Sequence, residues 1–134
     1  MDALYQKKIL ELAQQSRTSN LDSNAPFQAS YDNPTCGDRV HVSFSLNDGL
    51  IHNLGLEVRG CALCEAGAGL MLKHFEGEKA LCVEQLTTDF SDWIEKRRNN
   101  APNVDMIVFT PVRDIRNRHK CVLIAFRALI KALN

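Results

Sequence analysis

The sequence predicts an α+β fold, a small antiparallel three-stranded sheet with helices packed on one face. Three observations carry that prediction. Val40, Val42, Phe44 and Leu46 alternate with His41, Ser43 and Ser45, the period of two of a half-buried strand. Asn47-Asp48-Gly49 then supplies a turn, and residues 50–58 return as the second arm of a hairpin. Elsewhere, at the beginning, after Gly60 and at the end, apolar residues recur with the spacing of helices laid on such a sheet.

In chain order, residues 3–15 place Leu4, Ile9, Leu10, Leu12 and Ala13 at near-heptad spacing and predict an amphipathic helix. The polar residues 16–24 read as a mobile connection. Residues 27–31 add the third strand ahead of Asn33-Pro34. After Gly60 the residues Ala62, Leu63, Ala66, Leu70, Met71 and Phe75 share one helix face, with Gly77 just past its end. Within that helix Gly67 and Gly69 each cost roughly 1 kcal/mol relative to alanine. Residues 81–86 and 90–96 read as two shorter helices. Asn99-Asn100-Ala101-Pro102-Asn103 interrupts the chain, and residues 106–109 form an apolar run of unassigned type. Val122, Ala125, Phe126, Leu129, Ile130 and Leu133 make one stripe of a last helix, with Arg127 and Lys131 outside it.

The 134 residues suit one domain, 1–134, and 45% apolar content is enough to bury a core. Sixteen basic residues balance sixteen acidic ones. That balance argues against general nucleic-acid binding, which needs a basic face to displace counterions. No secretory signal and no run of about 20 apolar residues is present, so the expectation is a cytoplasmic protein with no membrane contact. Five cysteines without a signal do not suggest a disulfide framework. In a reducing compartment such thiols serve as metal ligands or nucleophiles, or simply as small buried hydrophobes.

Three of the cysteines stand where chemistry is easiest to build. Cys36 lies in Asn33-Pro34-Thr35-Cys36-Gly37-Asp38, a bend in which Pro34 fixes one dihedral and Gly37 permits an unusual one. Asp38 brings a carboxylate two residues on. Cys61 follows Gly60 at a strand-to-helix junction, where helix N–H groups favour a thiolate. Cys121 opens the last helix behind Arg118-His119-Lys120, whose cations act in the same direction. Three thiolates and one carboxylate suffice for four-coordinate zinc, or for an iron–sulfur cluster. Their wide separation in sequence leaves open whether they meet.

The motif Asn33 to Asp38, the hairpin Asp48-Gly49, Gly60-Cys61 before a small-residue helix, and Arg118 to Cys121 resemble together the IscU/NifU-N family of iron–sulfur scaffold proteins. The likeness runs over nearly the whole chain and is strongest to the SufU branch. Lys120 stands where the IscU branch has a histidine before the last cysteine, and the stretch between Cys61 and Cys121 is long, as in SufU proteins. The Leu-Pro-Pro-Val-Lys chaperone motif of the IscU branch is absent, faintly echoed by Thr110-Pro111-Val112-Arg113.

The resemblance implies a cluster and metal site on Cys36, Asp38, Cys61 and Cys121, zinc in the isolated protein and a transient iron–sulfur cluster. It implies two partners, a cysteine desulfurase and cluster-accepting proteins. In this reading the chain is a scaffold, with Asp38 keeping the cluster labile, or a zinc-dependent sulfur acceptor with Cys121 receiving the sulfur.

The chain departs from the family where a serine- and alanine-rich run is usual. It reads Ala62-Leu63-Cys64-Glu65-Ala66-Gly67-Ala68-Gly69, so Cys64 forms a Cys-x-x-Cys pair with Cys61. That pair allows an alternative, a thiol redox protein, although the βαβ setting of such a motif is not predicted. Cys64 itself reads as a quiet serine replacement, with an alternate ligand or sulfur relay as the sharper options. Cys82, between Leu81 and Val83, is expected in the core. His119 is expected to point away from the metal, His41, His52 and His74 to lie on polar surfaces, Trp93 to pack partly buried, and Lys96-Arg97-Arg98 to be a solvated helix end.

Overall fold

The computed structural model describes residues 2–35 and 37–134. Among them run α1 (Ala3–Arg17), β1 (Phe27–Asp32), β2 (Arg39–Asn47), β3 (Leu50–Arg59), α2 (Ala62–Phe75), α3 (Val83–Ile94) and α4 (His119–Leu133). Stretches of 3₁₀ helix occupy Ala80–Cys82, Val104–Asp114 and Arg116–Arg118. The strands pair antiparallel in the order β1-β2-β3, with Val42 set between Ala29 and Leu56. The predicted class, a three-stranded antiparallel sheet with helices against it, is the one observed.

The β2–β3 turn has Asp48 at φ 54° and Gly49 at φ 77°, the two positive dihedrals of a tight hairpin turn that matches strand twist. A register shift between Ser43 and Ser45, with Asn53 at φ 54°, marks a bulge that bends β3. Val40, Val42, Phe44 and Leu56 are buried, and α4 packs across β1 and β2.

Because α4 has the sheet on one side and α2 and α3 on another, it is buried over far more than the single stripe its sequence suggests. His119, Cys121, Leu123, Ile124 and Ala128 are covered as well as the predicted Val122, Ala125, Phe126 and Leu129. Phe126 joins the aromatic centre of the core, with ring centroids 5.9 Å from Phe75 and 5.4 Å from Phe90.

Helix α2 crosses its neighbours unusually closely. A Cβ on Gly67 would lie 2.1 Å from the Val122 carbonyl oxygen of α4. One on Gly69 would lie 1.9 Å from the Leu12 carbonyl oxygen of α1. The two glycines that weaken α2 as an isolated helix are what let three helix backbones touch.

Several expectations need correction. Leu4 and Leu10 are exposed, and α1 buries Ile9, Leu12, Ala13 and Ser16 instead. Residues 16–24 are no loose connection: the Ser19 hydroxyl accepts from the Leu56 N–H, and the Asp22 N–H donates to the buried Ser43 hydroxyl. Gly55 permits this approach, since its Cβ would strike the Asn20 carbonyl at 2.0 Å. The two short helices predicted after residue 80 are one helix, α3. Its inward phase, set by Val83, Thr87, Phe90, Ser91 and Ile94, turns Leu81 and Cys82 outward. Leu81 is 93% exposed and Cys82 is exposed rather than in the core. The apolar run at Met106 to Phe109 belongs to the 3₁₀ stretch Val104–Asp114. No helix among the described residues is long and apolar enough to cross a membrane.

Candidate metal centre

Three predicted ligands arrive at one place from three different element boundaries. Asp38 comes from the bend between β1 and β2. The Asn33 N–H donates to the Asp38 carbonyl at 2.8 Å, and the Gly37 N–H donates to the Asn33 carbonyl at 2.9 Å. Gly37, at φ 76°, takes the left-handed conformation that the sequence assigned it. Asn33 is buried and its side-chain oxygen accepts from the Thr35 N–H, which closes the bend locally. Cys36, within this bend by sequence, lies outside the described residues.

Cys61 occupies the position before α2, with extended backbone (φ −73°, ψ 171°) and no side-chain capping bond. Its carbonyl accepts the Glu65 N–H, the first bond of the helix. The thiol is half-buried beside the N-terminal amides. Cys121 sits in the first turn of α4, buried. The contact of α2 with α4 through Gly67 and Val122 sets these two helix starts side by side.

One carboxylate oxygen and the two sulfurs of Asp38, Cys61 and Cys121 all lie within 4.8 Å of one another. In a tetrahedral zinc site with bonds of about 2.3 Å to sulfur, neighbouring ligand atoms stand roughly 3.8 Å apart, so the three need only a small contraction. Asp38 supplies an independent test of fit. It is 8% exposed, and its Oδ2 is buried with no hydrogen-bond partner among the described residues. A buried carboxylate oxygen left unmet costs well over 1 kcal/mol, and a cation is what would satisfy it. The donor set, thiolates with one carboxylate, suits zinc or iron.

Arg118, directly before α4, carries a charge that interacts with all three groups. Hydrogen-bonded to Cys121 and attracted by the charges of Cys61, Cys121 and Asp38, its guanidinium is held above the usual arginine range. From spacing alone Arg118 is only a neighbour of Cys121; its charge interaction with Cys61 and Asp38 depends on the fold. Gly60 was likewise legible only as part of Gly60-Cys61. A Cβ there would meet the Asp38 Cγ at 2.9 Å and the Cys64 Sγ at 3.0 Å, so glycine keeps the hollow in which both side chains lie.

His119 points away, as expected: its Nε2 donates to the carbonyls of Val112 and Arg113, at 2.9 and 3.2 Å. His41 bonds Ser30 and Gln28 on the polar sheet face. Trp93 is buried under the Arg113 guanidinium, whose carbon lies 5.0 Å from the ring centroid. Lys96, Arg97 and Arg98 pair with Asp114, with Asp92 and Glu95, and with Asp89, at the surface. The antiparallel sheet lacks the βαβ unit that frames a Cys-x-x-Cys redox motif.

The chain resembles known proteins over most of its length. It is 24% identical to the zinc-dependent sulfurtransferase SufU of Bacillus subtilis, the match covering 99% of this chain and 91% of that protein. It is 28% identical to the iron–sulfur cluster assembly scaffold protein IscU of Thermotoga maritima, over 97% of this chain and 92% of the relative. The crystal structure of the N-terminal part of a NifU-like protein from Brucella abortus superposes with a TM-score of 0.86 at 27% identity, covering 96% of this chain and 91% of that one. The sequence profile of the NifU-like N terminal domain matches residues 4–106, which include the bend at Asp38 and the Gly60-Cys61 junction. With fold, relatives and profile in agreement, the chain belongs to the NifU-like N-terminal domain family.

Proposed function

We propose that this chain works in iron–sulfur cluster assembly, as a zinc-dependent acceptor of sulfur from a cysteine desulfurase, with Cys36, Asp38, Cys61 and Cys121 as its metal ligands. The observation that carries the reading is the convergence of Asp38, Cys61 and Cys121 within 4.8 Å, with Asp38 Oδ2 buried and without a partner among the described residues. The relatives named as a zinc-dependent sulfurtransferase and a cluster scaffold support it. Zinc held there would keep the thiols deprotonated and the bend at Asp38 ordered.

The acceptor role falls to Cys121. Arg118 is hydrogen-bonded to it and offers a fixed positive charge to the thiolate and to the persulfide that replaces it. In the transfer, the Cys121 thiolate attacks the outer sulfur of the desulfurase persulfide. The S–S bond of that persulfide breaks, the desulfurase cysteine leaves as thiolate, and Cys121 carries the new S–S bond. No atom or electron is left unaccounted for, and no added oxidant is needed.

A scaffold role is the second reading, favoured by Asp38. Carboxylate is a harder and weaker partner for iron–sulfur units than thiolate, so a cluster held partly by Asp38 would pass on readily to cluster-accepting proteins. One experiment separates the two. Protein purified without oxygen is assayed for zinc, then incubated with a cysteine desulfurase and cysteine. Sulfur acceptance predicts about one zinc per chain and the mass gain of a single sulfur on Cys121, lost in Cys121→Ser. A cluster spectrum without persulfide supports the scaffold. Metal-free protein showing neither defeats both readings.

A further inference from the structure

Cys64 has no part in the four-ligand site, yet it lies against it. It stands three residues after Cys61 in α2, hence on nearly the same helix face, and is 1% exposed. Its sulfur and the Asp38 Cγ both lie within 3.0 Å of the point where Gly60 would carry a Cβ. Thiol and carboxylate therefore share one hollow, and that hollow exists because residue 60 has no side chain. Asp38 Oδ2 is buried there without a hydrogen-bond partner among the described residues.

We propose that Cys64 is a reserve ligand, a further thiolate that takes the place of Asp38 on the bound metal. The centre then alternates between a set containing the carboxylate and an all-thiolate set. The inference rests on the metal-centre reading above. Zinc and iron–sulfur units favour thiolate over carboxylate, so the exchange is driven by the softer ligand once Asp38 moves aside. The exchange balances without a co-reactant. Cys64 would give up its thiol proton to the Asp38 carboxylate it displaces, so one thiolate would stand where one carboxylate stood with no change in net charge. The same Arg118 guanidinium therefore serves both sets. Asp38 can leave to admit sulfur or a partner's ligand without the metal being lost.

The test uses cobalt(II) alone, whose sulfur-to-metal charge-transfer band counts thiolate ligands and needs no activity assay. Wild type and Cys64→Ser should give the same band. Asp38→Ala should keep cobalt and gain intensity by about a third, the step from three thiolates to four in a tetrahedral site. Asp38→Ala combined with Cys64→Ser should lose that gain and bind cobalt at least about tenfold more weakly. Asp38→Asn preserves the side-chain shape and should show the same gain, which guards against misfolding of the alanine variant. An Asp38→Ala spectrum like the wild type, or one unaffected by adding Cys64→Ser, overturns the reserve-ligand role while leaving the metal centre standing. Wild-type protein that binds no cobalt overturns both.

Discussion

Gly67 joins the two helices that carry Cys61 and Cys121, and Gly67→Ala tests whether that joint sets the metal centre. An alanine Cβ would lie 2.1 Å from the Val122 carbonyl oxygen. Carbon and carbonyl oxygen approach to about 3.3 Å at closest in good contacts, so the helices must part by roughly 1 Å. Alanine returns about 1 kcal/mol of helix propensity. Overpacking against a backbone group that belongs to a helix costs up to about 3 kcal/mol, for a net loss of about 2 kcal/mol. The displacement matters more for the ligands than for the fold. Metal sites tolerate errors of about 0.2 Å in ligand distance, so zinc affinity should fall roughly tenfold or more. Gly69→Ala is the control: it strikes the Leu12 carbonyl at 1.9 Å, forcing α2 from α1 rather than from α4. Urea titrations should show both variants destabilised, whereas competition against a chromophoric chelator should show only Gly67→Ala weakened for zinc. If Gly67→Ala binds zinc as the wild type does, or if Gly69→Ala loses as much affinity, the joint does not set the ligand spacing.

Two further outcomes are expected. Cys82→Ser should change stability by no more than about 0.5 kcal/mol and leave zinc content unaltered, because Cys82 is exposed and lies outside the ligand group; a large loss by denaturant titration would return it to the core. Arg118→Gln should shift zinc binding to higher pH. Its hydrogen bond to Cys121 raises the guanidinium above the ordinary arginine value, so its contribution is present at all lower pH and lost only above that range. Near neutrality it is a fixed positive charge. Zinc binding strengthens with pH as the ligands shed protons, and removing that charge makes the shedding harder. Chelator competition across the neutral range should show the midpoint moving upward; a midpoint that stays or falls removes Arg118 from the centre.

The fold was legible where the sequence obeyed local rules. The alternation in β2, the Asp48-Gly49 turn and the helix ended by Gly77 follow from side-chain period and backbone sterics, and each stands where those rules put it. Reading failed where packing against a distant element decided the outcome. Cys82 sits among apolar neighbours in sequence, but the phase of α3 is set by Phe90 and Ile94 meeting the rest of the core. The polar residues 16–24 are held by Ser43, 21 positions beyond Asp22, and by the close approach that Gly55 permits, and nothing within the segment announces it. The single stripe predicted on α4 leaves out Leu123, Ile124 and Ala128, which are buried because the helix is covered on two sides.

The same division holds at the centre and explains its design. Residue type and position pointed to the group of Asp38, Cys61 and Cys121: each lies at an element boundary, where a bend, a glycine or a helix start with unpaired N–H groups presents the side chain. What residue type could not give was the support. Gly60 matters for the side chain it lacks, and Gly67 for the helix it admits. Arg118 matters for a charge that acts on groups from three elements. These residues bind no metal, yet they fix where the thiolates meet, how their charge is balanced and which neighbour can stand in. Iron–sulfur chemistry needs a site firm enough to hold a soft metal and loose enough to release it. Under the proposed function the firmness would come from helices packed through glycine, and the looseness from Asp38, whose carboxylate is a weaker partner than thiolate for a soft metal. Variants of the packing glycines should therefore change how much metal is held, and variants of Asp38 how quickly it is given up.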